Sequence, residues 1–130
     1  MSKLILFALL LLCAFAVSAA EPPAPVGPPI RKLEGHLVDI KGRGLYTWDG
    51  DFEAGRSSCD SQCRLLWPPI VADADAQPKG PFTIVQRNDG SRQWALRGKP
   101  LYRWVSDKKY GDAGGDGVAD VWHLVWVAAK

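Results

Sequence analysis

The chain has 130 residues, Lys+Arg 16 against Asp+Glu 14 and an apolar fraction of 47%, with the first 20 residues far more apolar than the rest. All 13 Gly, all 10 Pro and all 6 Trp lie after residue 20. That remainder is too aromatic for a disordered tail, too evenly charged for a nucleic-acid binder, and has no apolar run near the roughly 20 residues that cross a bilayer.

Residues 1–20 read as a signal peptide. Lys3 is a short basic start, Leu4 to Val17 an apolar stretch, and Ser18-Ala19-Ala20 supplies the small side chains a signal peptidase needs, with the cut near Ala19 or Ala20. Export then places the mature chain in the periplasm or outside the cell. Lipidation of Cys13 requires a small residue before it, and Leu12 is large, so Cys13 leaves with the signal. Residues 21–32 form a Pro-rich linker, whose segment EPPAPVGPP has five prolines in nine positions and favours an extended polyproline conformation. The folded domain is expected over 33–130.

Within that domain, His36 to Ile40 and Leu45 to Asp49 are the arms of a hairpin around Lys41-Gly42-Arg43-Gly44. Phe82 to Arg87, the turn Asn88-Asp89-Gly90-Ser91 and Arg92 to Leu96 form a second hairpin, extended by the turn Arg97-Gly98-Lys99-Pro100 into Leu101 to Val105. Val121 to Val127 is a closing strand. No long 3.6-residue apolar period occurs, so the class is all-β.

Two of these stretches are copies. Sliding LVDIKGRGLYTWDGD (37–51) by 56 positions onto QWALRGKPLYRWVSD (93–107) aligns them without a gap. Gly42 meets Gly98, Leu45 meets Leu101, Tyr46 meets Tyr102, Trp48 meets Trp104 and Asp51 meets Asp107. Further on, Gly55 meets Gly111 and Asp60 meets Asp116, and one gap brings Trp67 onto Trp122. Two copies are too few for an open solenoid. The expected fold is a small antiparallel sheet or barrel-like domain made of two hairpin-plus-loop repeats, about 35–71 and 91–127. Strand alternation puts Tyr46 with Trp48, and Tyr102 with Trp104, on the face turned to the core. Asp51 and Asp107 then stand at strand ends, placed to cap loop amides or to accept from a tyrosine hydroxyl.

Tyr46-x-Trp48-x-x-Asp51 and Tyr102-x-Trp104-x-x-Asp107 both match Y-x-[FWY]-x-x-D. Over residues 33–127 the chain resembles a family of bacterial secreted repeats and predicted lipoproteins whose function is unassigned. The likeness takes in Ser57-Ser58-Cys59-x-x-x-Cys63, Trp67-Pro68-Pro69, Arg87-Asn88-Asp89-Gly90-x-x-Gln93, Gly98-Lys99-Pro100-Leu101-Tyr102, and Gly111-Asp112 through Trp122. It departs from lipoprotein members in lacking a lipidation site. The resemblance implies an envelope location and a tandem-repeat fold, and it brings no catalytic residues.

Cys59 and Cys63 remain in the exported part, and in an oxidising compartment a local disulfide is the default. They fall opposite Gly115 and Ala119 of the second copy. The alternative is a thiolate pair that holds copper or does redox work, with His36 or His123 as a further ligand. Haem attachment is disfavoured because Arg64, not His, follows the second Cys. Asp107, Asp112, Asp116 and Asp120 lie among glycines in an acid-rich loop. Their spacing is not that of an EF-hand and Lys108 and Lys109 stand beside them, so an Asx-capped loop is favoured over a calcium site. No nucleophile elbow, Walker loop, zinc-protease pair or dinucleotide fingerprint is present, and Asp49 with Asp51 share one strand end instead of flanking a cleft.

The sequence is therefore that of an exported, monomeric, non-enzymatic envelope domain, without cofactor or metal, acting on a ligand or envelope partner that it does not specify. The alternative is a periplasmic copper-binding or thiol-redox accessory protein using Cys59 and Cys63. A glycan-binding module remains a third reading if the Trp and Tyr side chains are exposed rather than buried in the core.

Overall fold

A computed structural model describes residues 11–16, 18 and 26–128. The signal peptide and the start of the linker lie largely outside these residues. Among the described residues, no helix is long and apolar enough to cross a membrane.

Strands β1 (Ile30–Leu33) and β2 (His36–Asp39) form an antiparallel hairpin. Its two-residue turn, Glu34-Gly35, has φ of 49° and 87°, the paired positive values that match strand twist. β1 begins inside the stretch read as linker. Ile30 and Leu33 turn partly inward there while Arg31 and Lys32 stay in solvent, a pattern that the neighbouring prolines mask. β3 (Tyr46–Trp48) pairs with the closing strand β7 (Trp122–Leu124), and β4 (Phe82–Gln86), β5 (Arg92–Leu96) and β6 (Lys99–Pro100) form a three-stranded sheet. Every ladder is antiparallel. The fold is all-β with small sheets, and these do not close into a barrel. They join instead through single bridges, Tyr46 to Tyr102, Pro69 to Tyr102, Val71 to Gln93 and His36 to Trp126. The short helix α1 (Gln62–Leu66) and a 3-10 turn (Val118–Asp120) occupy matching places in the two copies.

The duplication is visible bond by bond. Tyr46 and Tyr102 exchange backbone hydrogen bonds, N–H to O, at 2.8 and 2.9 Å, so the pseudo-twofold relation passes between them. Gly55 N–H donates to Gly98 O and Gly111 N–H to Gly42 O. Ile70 N–H donates to Leu101 O and Val125 N–H to Leu45 O, both at 3.0 Å, so the tail of each copy inserts beside the hairpin of the other.

One part of the gap-free slide is corrected. Leu45 N–H donates to Leu37 O and Leu101 N–H to Trp94 O, which makes Leu37 the partner of Trp94, 57 positions on, rather than of Gln93. The first hairpin turn is one residue longer than the second, and Asp39 accounts for it. Its Oδ1 accepts the Lys41 and Arg43 amides and its Oδ2 bonds Arg43 Nε at 2.8 Å, holding the larger loop closed.

Two apolar clusters lie on opposite sides of the paired strands, as period-two alternation dictates. Leu45 and Leu101 enter one with Leu37, Ile70, Trp94 and Val125. Tyr46 and Tyr102 enter the other with Trp67, Trp122 and Cys59. In the second cluster Trp48, Trp122, Trp67 and Trp104 form one stack, with centroid separations of 5.4, 3.8 and 5.7 Å and interplanar angles of 10°, 5° and 18°. The order is palindromic with respect to the duplication. Tyr46 meets Trp67 edge-on at 5.4 Å and Tyr102 meets Trp122 edge-on at 5.3 Å.

Because Trp67 and Trp122 are equivalent and touch each other, truncating either one opens the same junction. Trp67→Ala and Trp122→Ala are each expected to lower stability by about 3–5 kcal/mol in urea unfolding. A loss under about 1 kcal/mol for either variant would show that the stack does not hold the copies together.

Candidate functional site

Beyond each Trp of the duplicated strand the chain turns back, with Asp51 N–H bonded to Trp48 O and Asp107 N–H bonded to Trp104 O, both at 3.1 Å. That turn carries each carboxylate under the other copy's tyrosine. Tyr46 donates its hydroxyl to Asp107 Oδ2 at 2.5 Å, and Tyr102 donates to Asp51 Oδ2 at 2.6 Å. The second oxygen of each carboxylate caps a loop amide, Ser58 N–H on Asp51 and Gly114 N–H on Asp107. Each Asp therefore both caps a loop and accepts from a tyrosine of the opposite copy.

The two tyrosine oxygens are served differently. Gly115 N–H donates to Tyr46 at 3.0 Å, and a Cβ at Gly115 would stand 2.9 Å from the Tyr46 ring and 3.0 Å from Trp67, so only glycine fits. At Tyr102 the donor is Ser57, its Oγ 2.7 Å away. The Tyr102 proton already points to Asp51, so the Ser57 hydroxyl is the donor here, and Ser57 in turn accepts from Arg87 Nη1 at 2.9 Å. Arg87 is 3% exposed. It also donates to Gln93 Oε1 at 2.7 Å and to the Cys59 carbonyl at 2.5 Å, while Gln93 Nε2 donates to Leu101 O. A single polarised chain thus runs from a buried guanidinium through Ser57 and Tyr102 to Asp51.

This setting governs the ionisation of the network. Burial, and then the carboxylate each one bonds, push both phenols well above their ordinary value, against the opposing bonds from Gly115 and Ser57. Burial likewise raises Asp51, outweighing the Ser58 amide and the Tyr102 hydroxyl that favour its charged form.

Cys59 and Cys63 are joined, with their Cα atoms 5.2 Å apart. The copper or thiol reading needs both sulfurs free, and the two histidines have other neighbours. His36 is buried, with Nδ1 3.2 Å from Leu37 O and its ring against Trp126. His123 faces Asp49 across the β3–β7 pair, Nε2 to Oδ1 at 2.9 Å. Among the described residues, no three His, Cys, Asp or Glu side chains gather as a metal site requires. The acid-rich loop is capped by its own aspartates. Asp112 accepts the Lys108 and Lys109 amides, which lower its pKa, and Asp116 accepts the Leu124 amide.

The six motif residues are thus brought together around the pseudo-twofold junction, Asp49 and His123 stand in solvent, and the disulfide lies against the polar chain. Sequence reasoning missed the part played by Arg87, Ser57 and Gln93. The available signal was parity: Gln93 alternates with Trp94 between two apolar environments on a strand with no solvent-facing side, so its amide had to find buried partners.

The described residues also form several surface concavities. One, lined by Thr47, Trp48, Asp49, Asp51, Phe52 and Lys99, has a volume of about 270 Å³ and carries charges of both signs. Another, about 490 Å³, is an apolar groove where β1, the start of β4 and the segment after β7 meet.

Residues 83–126 match a family described as a secreted repeat of unknown function. The matched stretch runs from β4 through β7 and contains the second motif copy whole. No curated protein and no solved structure matches the chain. A secreted repeat held by a disulfide fits an extracytoplasmic location.

Two outcomes follow from the buried phenols. Replacing Tyr46 by Phe strands a buried carboxylate, so Tyr46→Phe and Asp107→Asn should each cost roughly 1.5–3 kcal/mol in urea unfolding. A double-mutant cycle between them should show coupling above about 1 kcal/mol, and strict additivity would refute the pairing. With folded values raised above the ordinary 10.0, the two phenols contribute stability that is fully present below that pH and lost as pH rises through their folded values. In a Tyr110→Phe background, tyrosinate absorbance should appear only together with the loss of near-UV dichroism. Ionisation of a folded sample would contradict the buried network.

Proposed function

We propose that the protein is an exported envelope domain that acts by binding or structural contact, not by catalysis. One observation carries this reading: the duplicated motif is consumed by the fold. Tyr46, Tyr102, Asp51 and Asp107 satisfy one another and the loop amides, and Trp48 and Trp104 close the ends of the tryptophan stack. A phenol held by a carboxylate and a carboxylate held by an amide leave no free base or nucleophile at the only place where the motif residues converge. The residues of the duplicated motif therefore build a scaffold, and contact with other molecules falls to the surface.

The glycan reading weakens on the same ground, since four of the six tryptophans lie in the stack. Export through the periplasm, with removal of the first 19 or 20 residues, agrees with a bridged Cys59–Cys63 pair and with an unmodified Cys13 lost in the signal.

A single intact-mass measurement on protein recovered from the periplasmic or extracellular fraction tests export, processing and redox state together. The expected mass is that of a chain starting at Ala20 or Glu21, less two hydrogens, with no thiol reacting after denaturation without reductant. Recovery of the full chain in the cytoplasm, or of a lipid adduct on Cys13, would refute the export reading. Two reactive thiols with bound copper would favour the accessory-protein alternative.

A further inference from the structure

The apolar groove is one place where the two copies differ. Its floor and walls are Ile30, Leu37, Phe82, Leu96, Trp126 and Val127, and its rim is Arg31, Lys32 and Arg97. Among the described residues, no acidic and no neutral polar side chain lines it. The walls are set in advance. Arg97 N–H donates to Pro81 O at 2.8 Å, Val127 N–H donates to Gly35 O at 2.8 Å, and the Trp126 ring leans edge-on against His36 at 5.4 Å.

Strand register gives the counterpart of each of these residues in the other copy. Arg31 pairs with Val38 and Lys32 with Leu37, while Thr83 pairs with Ala95 and Ile84 with Trp94, so the counterparts of Arg31 and Lys32 are Thr83 and Ile84. Trp126 bridges His36 as Val71 bridges Gln93, so the counterpart of Trp126 is Val71. The same fold is built on the other side without these cations and without an indole. Trp126 meets His36 along one side and is nonetheless 62% exposed, which leaves a large apolar surface in solvent.

We propose that this groove binds a long-chain anionic amphiphile, its chain along the Phe82–Leu96–Val127 floor against Trp126 and its head between Arg31, Lys32 and Arg97. The inference rests on the reading of the protein as a binding domain. Charge complementarity selects an anion, because Arg31, Lys32 and Arg97 are among the described residues that line the groove and no acid is. The absence of polar side chains along the walls disfavours a sugar or a peptide, both of which need hydrogen-bond partners along their length. The volume of about 490 Å³ falls within the usual range for small-molecule pockets. The Asp49–Lys99 concavity makes no such selection, since its charges of opposite sign offset each other.

The test uses the exported chain, residues 21–130, titrated calorimetrically with laurate below its critical micelle concentration. Dodecylammonium and dodecanol serve as charge controls, and phosphatidylglycerol and phosphatidylcholine vesicles as membrane controls. One laurate per chain is expected, with either control amphiphile binding roughly tenfold more weakly or worse and affinity falling as salt is added. Arg97→Glu and Trp126→Ala should each weaken laurate roughly tenfold. Phe52→Ala, at the other concavity, should leave binding unchanged, and near-UV dichroism checks that each variant is folded. Equal affinity for laurate and dodecylammonium, binding that survives Arg97→Glu, or binding to vesicles alone would overturn the assignment. A correctly exported, bridged protein that ignores laurate would overturn the groove assignment only, whereas recovery of chemically altered laurate would overturn the non-enzymatic reading instead.

Discussion

A phenol hydroxyl taken out of water beside a carboxylate has to keep that carboxylate, because separating them leaves a buried charge without a donor. In this protein the requirement applies twice and in opposite directions, Tyr46 to Asp107 and Tyr102 to Asp51. Neither copy of the motif can satisfy itself. The tyrosine of one copy is buried only when the strand end of the other is in place, and each carboxylate then pulls its own loop in through Ser58 or Gly114. The Trp stack, the exchanged tails and the position of the disulfide loop all follow from that reciprocal fit.

The copies have solved the surroundings of the tyrosine in different ways. Next to Tyr46, the backbone amide of Gly115 approaches directly because nothing projects from its Cα. Next to Tyr102 the equivalent residue is Cys59, whose side chain fills the space, and the donor has to come from Ser57 instead. Ser57 is held by Arg87, and Arg87 by the carbonyl of Cys59 and the amide of Gln93. The bridge to Cys63 pins the loop that presents both Ser57 and that carbonyl. A short disulfide adds little by chain entropy alone, at the low end of about 2–4 kcal/mol. It also holds the loop that presents two acceptors, Ser57 Oγ and the Cys59 carbonyl, to a buried guanidinium.

Much of this was legible in the residues, and the limits have physical causes. The slide that paired Tyr46 with Tyr102 and Asp51 with Asp107 also paired the hydrogen bonds around them, because those bonds run between the duplicated positions themselves. It failed at Leu37, where Asp39 holds a hairpin turn one residue longer, an insertion invisible when neighbouring glycines still line up. Alternation placed Tyr46 inward and Leu45 on the opposite face, and both proved buried because the chain there lies between two apolar clusters. β1 was hidden by the prolines before it. Which aspartate served which tyrosine was beyond reach, since a carboxylate that accepts from its own copy and one that accepts from the other have the same local sequence.

Symmetry also separates what the fold needs from what it does not. A residue whose counterpart is the same type, such as Trp67 with Trp122, is explained by the structure that both copies share. A residue whose counterpart differs, yet whose side chain supports nothing in its own copy, has no such explanation. Cys59 differs from its counterpart and Arg87 reaches it from the β4–β5 hairpin, and both are tied into the core, so they belong to the scaffold. Arg31, Lys32 and Trp126 differ and are exposed, and all three line the apolar groove. An exposed indole is costly for solubility, and the other side of the fold carries Val71, Thr83 and Ile84 where Trp126, Arg31 and Lys32 stand. The surface where the duplication has been broken without benefit to the core is the surface to which the proposed amphiphile is assigned.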